Sequence, residues 1–238
     1  MSLIYDLHVH TAASPCGDIT MTPNNIVNMS LLKGLEVIAI TDHQTAANCE
    51  AVMAVGKKRG LLVIPGIEIE CMEEFHLIAL FRNLNEAWDI ATWINEGLPK
   101  MKNRKDLFGE QLILNEQDEI VGELEQFLLT ATQISVSDIV KEVRRKKGII
   151  YPAHIDRRSY SILSNLGAVP EELDFNILEI SQKSSLKEYE EKYNKYTVIQ
   201  SSDAHYLFDI SENTRTIPSK ARELMNLIYK LSKSNKDL

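Results

Sequence analysis

Seven short runs rich in β-branched and apolar residues recur along this chain: "IYDLHV" (4–9), "VIAIT" (37–41), "LLVIPGIEIE" (61–70), "HLIALF" (76–81), "GIIYPAH" (148–154), "FNILEI" (175–180) and "YTVIQSS" (196–202). Helical patterns separate most of them. Strands that alternate with helices specify a parallel sheet covered by helices on its faces. The helices are expected at 23–33, 46–59, 84–103, 137–147, 184–195 and 218–234. Thr22 and Pro23 open the first as N-cap and first helical residue, and Gly34 and Gly60 close the first two. One connection breaks the rule. Only Cys71 to Phe75 lie between "GIEIE" and "HLIALF". A parallel crossover needs a dozen or more residues, so these two runs form an antiparallel hairpin. Residues 104–136 are the least regular stretch; "QLILNEQDEIVGE" reads as a hairpin around 115–118 in an acidic excursion from the main domain. With no internal repeat or Pro/Gly-rich linker, residues 1–238 read as one domain.

This topology gives the histidines their meaning. There are six, His8, His10, His43, His76, His154 and His205, and every one falls at a strand terminus. His76 begins its strand, but the hairpin returns that start to the same rim. Parallel α/β folds build their sites at the carboxyl ends of the strands. All six are therefore expected on one face. A lone histidine at a strand end is ordinarily a hydrogen-bonded structural residue; six converging on one rim are not. Glu68, Asp203 and Asp18 join them, giving nine candidate donors, and Asp42 and Asp6 read as acids that orient imidazoles. Imidazole with carboxylate suits zinc, manganese or iron better than calcium or magnesium. One ion takes about four or five donors, so nine imply two or three divalent ions sharing carboxylates. Cys16 and Cys71 lie near these residues and read as small buried apolar side chains. In "AHIDRR", Arg157 stands three residues beyond His154, suited to forked hydrogen bonds to phosphate. Arg158 reads as a solvated turn residue.

Composition and motifs disfavour several function classes, a nucleic-acid partner mildly. The net charge of −8 provides no basic surplus for a nucleic acid or an anionic membrane. No apolar run has the length of a membrane span, and the N-terminal residues lack a signal-peptide pattern. Three cysteines without a CxxC pair fit a reducing cytoplasm. No Walker loop, G-x-G-x-x-G fingerprint or G-x-S-x-G elbow is present.

The stretches "DLHVHTAAS", "AITDH", "PGIEIE" followed by His76, "PAH" with His154, and "SSDAH" occur in an order that resembles the PHP (polymerase and histidinol phosphatase) domain family. The resemblance spans residues 6–205. It implies a distorted (β/α)7 barrel and a trinuclear zinc, iron or manganese site. One ion would take His8, His10 and Asp203, with Glu68, chosen over Glu70 on the resemblance, bridging to a second held by His76 and His154. A third would take His43, His205 and Asp18. The loop reads "SPCGD" where the family often has "SDG". The implied chemistry is hydrolysis of a phosphate ester by a metal-activated hydroxide, with Glu68, Arg157 and His205 as the catalytic groups. The expected substrate is a small phosphomonoester, such as a nucleotide or histidinol phosphate, admitted by loops at 82–136 and 157–170. A nuclease acting on DNA or RNA ends and a non-catalytic metal-stabilised interaction module are the competing readings.

Overall fold

The computed structural model describes residues 3–212 and 215–234. Its element order follows the sequence pattern. Strand β1 (Tyr5–Val9) leads through helix α1 (Pro23–Leu32) to β2 (Val37–Ile40), then through α2 (Cys49–Arg59) to β3 (Leu62–Glu70) and its hairpin partner β4 (His76–Leu80). Helix α3 (Leu84–Glu96) and the short α4 (Lys105–Phe108) precede a small hairpin, β5 (Leu112–Leu114) and β6 (Ile120–Glu123). The chain then returns through α5 (Val136–Arg145), β7 (Ile149–Pro152), α6 (Ile162–Leu166), β8 (Ile177–Ser181), α7 (Leu186–Lys192), β9 (Thr197–Ser201) and α8 (Arg222–Ser234).

Hydrogen bonding orders one sheet as β1-β2-β3-β4-β7. Strands β1, β2 and β3 are parallel, and β4 runs antiparallel to both β3 and β7, as the five-residue connection requires. The parallel pair β8–β9 is a separate ladder. A continuous seven-stranded barrel is thus not what the described residues form; the sheet is a curled half-barrel with a two-stranded companion. Its two seams are held at the site end. Val9 and Ala204 make an isolated bridge, with His10 N–H to Ala204 O at 3.0 Å. Between β7 and β8, Ile155 N–H donates to Glu179 O at 2.8 Å. Left-handed backbone at His154 (φ 28°) and Asp203 (φ 54°) turns the chain out of the ladders at these points. Such conformations are costly for residues with a Cβ and concentrate at functional sites.

The inner face of the strands has two tiers. Tyr5, Leu7, Val37, Ala39, Ile64, Ile78, Leu80, Tyr151 and Ile199 cluster with Leu224, Leu227, Ile228 and Leu231 of α8, which closes the lower end. The upper tier carries the histidines. A register shift in β1 between Asp6 and Val9 makes this possible. Side chains alternate strictly along a regular strand, and an irregularity resets which face they meet. Leu7 therefore packs in the inner cluster and Val9 in the outer one, and His8 and His10 share the inner face with Leu7.

Local chemistry moved several helix ends. Helix α3 stops at Glu96, not 103, because Pro99 disfavours helical backbone before it and Gly97 packs against Thr132 and Ile134. Helix α2 starts at Cys49, not 46, and Asn48 does not cap it with its side chain, whose amide is committed to Thr11, Leu112 and Leu114. Helix α6 was not expected; Ser161 and Ser164 form its reciprocal capping box. The β5–β6 excursion lies over the loop after β1, with Leu112 N–H on Ala12 O at 2.7 Å and Leu112 and Leu114 packed on Ala12. Gly109, at φ 95°, passes so close to Pro15 that a Cβ there would meet its carbonyl at 2.2 Å. No helix among the described residues is long and apolar enough to cross a membrane.

Candidate metal centre

Glu68 is the hub of the upper tier. It is 1 % exposed, and five ring nitrogens lie around its carboxylate. His76 Nδ1 is at 2.8 Å, His43 Nδ1 at 3.0 Å, His154 Nε2 at 3.2 Å, and His8 Nε2 and His10 Nε2 at 3.3 Å. The second carboxylate is Asp203, with Oδ1 at 3.1 Å from His8 Nε2 and 3.0 Å from His10 Nε2. Its other oxygen, Oδ2, accepts from Arg157 at 2.6 Å. Three overlapping groups bring their donor atoms within 4.8 Å of one another: His8, His10, Glu68 and Asp203; His43, Glu68 and His76; His10, His43 and His205.

The ring orientations are fixed from behind. Ser14 Oγ donates to Asp42 Oδ1 at 2.7 Å, so toward His10 Nδ1, 2.9 Å away, it can only accept. That puts the ring proton of neutral His10 on Nδ1 and leaves Nε2 facing the carboxylates. Asp42 thus works through Ser14, and it also accepts from Thr11 N–H and Oγ, each at 2.7 Å. Asp6 accepts from Ser202 N–H and Ser211 N–H and so ties β1 to the loop after β9. His205 Nδ1 sits 2.9 Å from the Asp203 carbonyl, which directs its Nε2 away.

The electrostatics are divided. Burial opposes ionisation of Glu68, but His76, His43 and His8 outweigh it and hold the carboxyl well below its usual range. Asp203 is likewise held well below, with His8 and His10 overcoming burial. Burial also opposes charge on His10, yet Asp203 and Glu68 raise it to about 9. His8 is raised well above 6.5, against burial, by Asp203, Glu179 and Glu68. Burial lowers His154, and it takes His43 down to about 4 and His205 to about 3, with the charge on His10 adding to both.

The donor set fits divalent ions. Glu68 Oε2 is buried and accepts no hydrogen bond, although His43 and His10 nitrogens lie within 3.3 Å of it. Buried carboxylate oxygens are ordinarily satisfied. An oxygen ringed by nitrogens that do not donate to it is what a shared metal ligand looks like. Imidazole nitrogens and carboxylate oxygens together suit zinc, manganese or iron.

The residues expected from sequence are placed as follows. His8, His10, His43, Glu68, His76, His154, Asp203 and His205 converge. Asp18 is not among the grouped donors: its Oδ1 accepts from Thr20 N–H at 2.9 Å and from Thr20 Oγ at 2.5 Å, while its backbone N–H donates to His205 O at 2.9 Å. In the grouping with His43 and His205 it is His10, not Asp18, that completes the set. Glu70 lies 4.0 Å from His76 Nε2, beside the hub and not in it. Cys71 is buried with Sγ on Phe75 O, and Cys16 is part-exposed; neither joins a donor group. Arg158, expected as a bystander, lines a groove of about 920 Å³ beside Asp203 with Arg157, Lys183 and Ser184. Two residues went unread in the sequence. Glu179 on β8 reaches His8 Nδ1 at 2.8 Å, and its signal was an acid inside an otherwise apolar strand. Tyr160 stacks on His76 with ring centres 5.0 Å apart.

The family model of the PHP domain matches residues 6–150. The chain belongs to the PHP family. The chain is 30% identical over 129 residues to the 5'-3' exoribonuclease Rnm of Escherichia coli (strain K12), covering 52% of this chain and 42% of that protein. It is 32% identical over 71 residues to a phosphoribosyl 1,2-cyclic phosphate 1,2-diphosphodiesterase of Eggerthella lenta, covering 30% and 26%. The chain thus spans less than half the length of either protein. In fold it is similar to a structure described as a metal-dependent phosphoesterase of Bifidobacterium adolescentis (TM-score 0.65, 16% identity, 95% and 96% of the two chains). It is also similar to the lesion-specific endonuclease EndoQ of Pyrococcus furiosus (TM-score 0.60, 15% identity, 87% and 49%). The relatives and structures it resembles are thus named for the hydrolysis of phosphate esters.

Proposed function

We propose that this PHP protein hydrolyses a small phosphomonoester at a centre of two or three zinc, manganese or iron ions, in a reducing cytoplasm. The observation that carries the reading is Glu68, sunk beneath five imidazoles with one oxygen unsatisfied. His8, His10, Glu68 and Asp203 would hold one ion, and His43, His76, His154 and His205 the others, with Glu68 shared. Such ions supply a water acidified to near-neutral pH and a Lewis acid for the phosphoryl oxygens. Arg157 binds a non-bridging oxygen and offsets charge as the ester breaks. His205, at the more open edge of the cluster, would complete an ion group with His10 and His43, and leaving-group protonation would fall to a metal-bound water. The other ligands are buried, which favours a terminal phosphate entering end-on over an internal linkage.

A second reading, hydrolysis at the end of a single strand, has its own support. Tyr160 beside His76 is 51 % exposed, and Tyr206 and Phe208, just after His205, stack on each other at 5.7 Å. Exposed aromatics beside cations suit unpaired bases. Metal analysis of the purified protein, with turnover of p-nitrophenyl phosphate against a 5'-phosphorylated oligoribonucleotide, separates the two. Two or three ions per chain with monoester turnover supports the first reading. Turnover of the oligonucleotide alone supports the second, and a full metal complement with no turnover supports a non-catalytic module. Replacing His10 or Asp203 by alanine should remove metal and turnover together. Full activity in either variant would overturn the assignment.

A further inference from the structure

Glu179 is 1 % exposed on a strand whose neighbours are Ile177, Leu178 and Ile180. Its Oε1 is shared between His8 Nδ1 at 2.8 Å and the His154 backbone N–H at 3.3 Å. Its Oε2 has no hydrogen-bond partner. For stability alone this is a poor arrangement. A buried carboxylate loses its hydration, and a half-satisfied one recovers only part of that loss. A neutral side chain of the same size would serve the strand better.

What the charge does serve is His8. The far nitrogen of that ring, Nε2, lies 3.1 Å from Asp203 Oδ1 and 3.3 Å from Glu68 Oε1, on the side where the ion group forms. An ionised carboxylate only accepts hydrogen bonds, so the nitrogen it faces must carry the proton. We infer that Glu179 is a positioning residue that holds the His8 proton on Nδ1 and presents Nε2 to the metal centre. The inference rests on the metal reading above. It also separates the two histidines of "HVH". His10 is oriented by a neutral hydroxyl, Ser14, whereas His8 is backed by an anion, which makes it the stronger donor of the pair. The same carboxylate, bonded to the His154 N–H, couples the His8 ring to the seam between β7 and β8.

The test uses Glu179→Gln in the full chain, with Glu179→Leu as a second variant. Three quantities are read: zinc affinity by competition with a chromophoric chelator, thermal midpoint of the metal-free protein in EDTA, and the His8 ring ¹⁵N shifts of the zinc-loaded protein. Expected is a zinc affinity lowered about 10–100-fold in both variants, beyond what any fall in the metal-free midpoint accounts for. In the wild type, His8 should bind zinc through Nε2 with Nδ1 protonated. Unchanged zinc affinity in Glu179→Gln would overturn the inference, as would zinc on Nδ1 of His8. A fall in metal-free stability that accounts for the affinity loss would reduce Glu179 to a structural role and equally overturn it. Should neither variant fold, the wild-type ring shifts decide. A wild type that binds no zinc, manganese or iron fails the preceding reading, a result distinct from a loaded wild type with indifferent variants.

Discussion

Asp42→Asn removes one atom's worth of charge and almost no volume, so its effect can be worked out bond by bond. In the native protein Asp42 Oδ1 accepts from Thr11 N–H and Ser14 Oγ, and Oδ2 accepts from Thr11 Oγ. Thr11 Oγ in turn already accepts from Ala13 N–H at 3.1 Å and Asn48 Nδ2 at 2.9 Å. If the new amide keeps its oxygen at the Oδ1 position, its NH₂ points at a hydroxyl whose lone pairs are taken. The Thr11 hydroxyl proton then has no acceptor. If the amide flips, its NH₂ faces two donors, which is worse. The better orientation loses one charge-assisted bond, about 1.5–3 kcal/mol, and strands buried donors at about 1–3 kcal/mol. A net loss of about 3–5 kcal/mol follows, or roughly 6–20 °C in a domain of this size. Urea unfolding in EDTA reads it as a lower midpoint at unchanged slope. Zinc affinity should stay within a few-fold of the wild type, because Ser14 keeps its acceptor and His10 its orientation. Ser14→Ala should lower affinity more, because His10 Nδ1 loses its acceptor, and should cost stability as well, because His43 N–H and Asp42 each lose a partner. A loss below about 1 kcal/mol in Asp42→Asn would refute the network as drawn.

Other outcomes follow from the same structure. Because His8 and His10 hold ring protons above neutral pH, zinc loading at pH 7 should release about two protons per chain. Calorimetry in buffers of different ionisation enthalpy measures them, and a buffer-independent heat would contradict it. Metal-free stability should peak near pH 6.5. His10, raised to about 9, stabilises below 6.5 and loses that contribution as pH rises through 9; His43 and His205, lowered to about 4 and about 3, stabilise above 6.5 and lose it as pH falls. A monotonic midpoint between pH 4 and 9 in EDTA would count against this balance. Arg157→Met should lower kcat/KM for a phosphomonoester about 10²–10³-fold with metal content retained. Gly66→Ala should destabilise by about 1–3 kcal/mol, since its Cβ would meet Ala79 O at 2.9 Å and Leu80 Cδ2 at 2.8 Å across the β3–β4 hairpin. A thermal midpoint equal to the wild type would show that the hairpin can spread.

Much of the protein was legible in one dimension. The β3–β4 hairpin followed from a connection too short to cross over, and that hairpin is what brings His76 to the rim with the other five histidines. Glu68 and Glu70 were both legible as acids on one face near a strand end, and only the family resemblance chose between them. These features depend on chain length and on residue type at strand termini, both local properties. Tertiary structure decided the rest. His8 and His10 reach the inner face through a register shift in β1, and a shift is defined only against the partner strand. Asp18 carries the right chemistry at the right distance along the chain, but its Oδ1 turns to Thr20 two residues on, and His10 takes its place in the grouping with His43 and His205. Glu179 lies 171 residues from His8, and no periodicity could have linked them. The sequence determined which atoms could bind a cation. Which of them meet, and which nitrogen of each ring faces inward, was settled by long-range hydrogen bonds, whose partners exist only once the chain has folded.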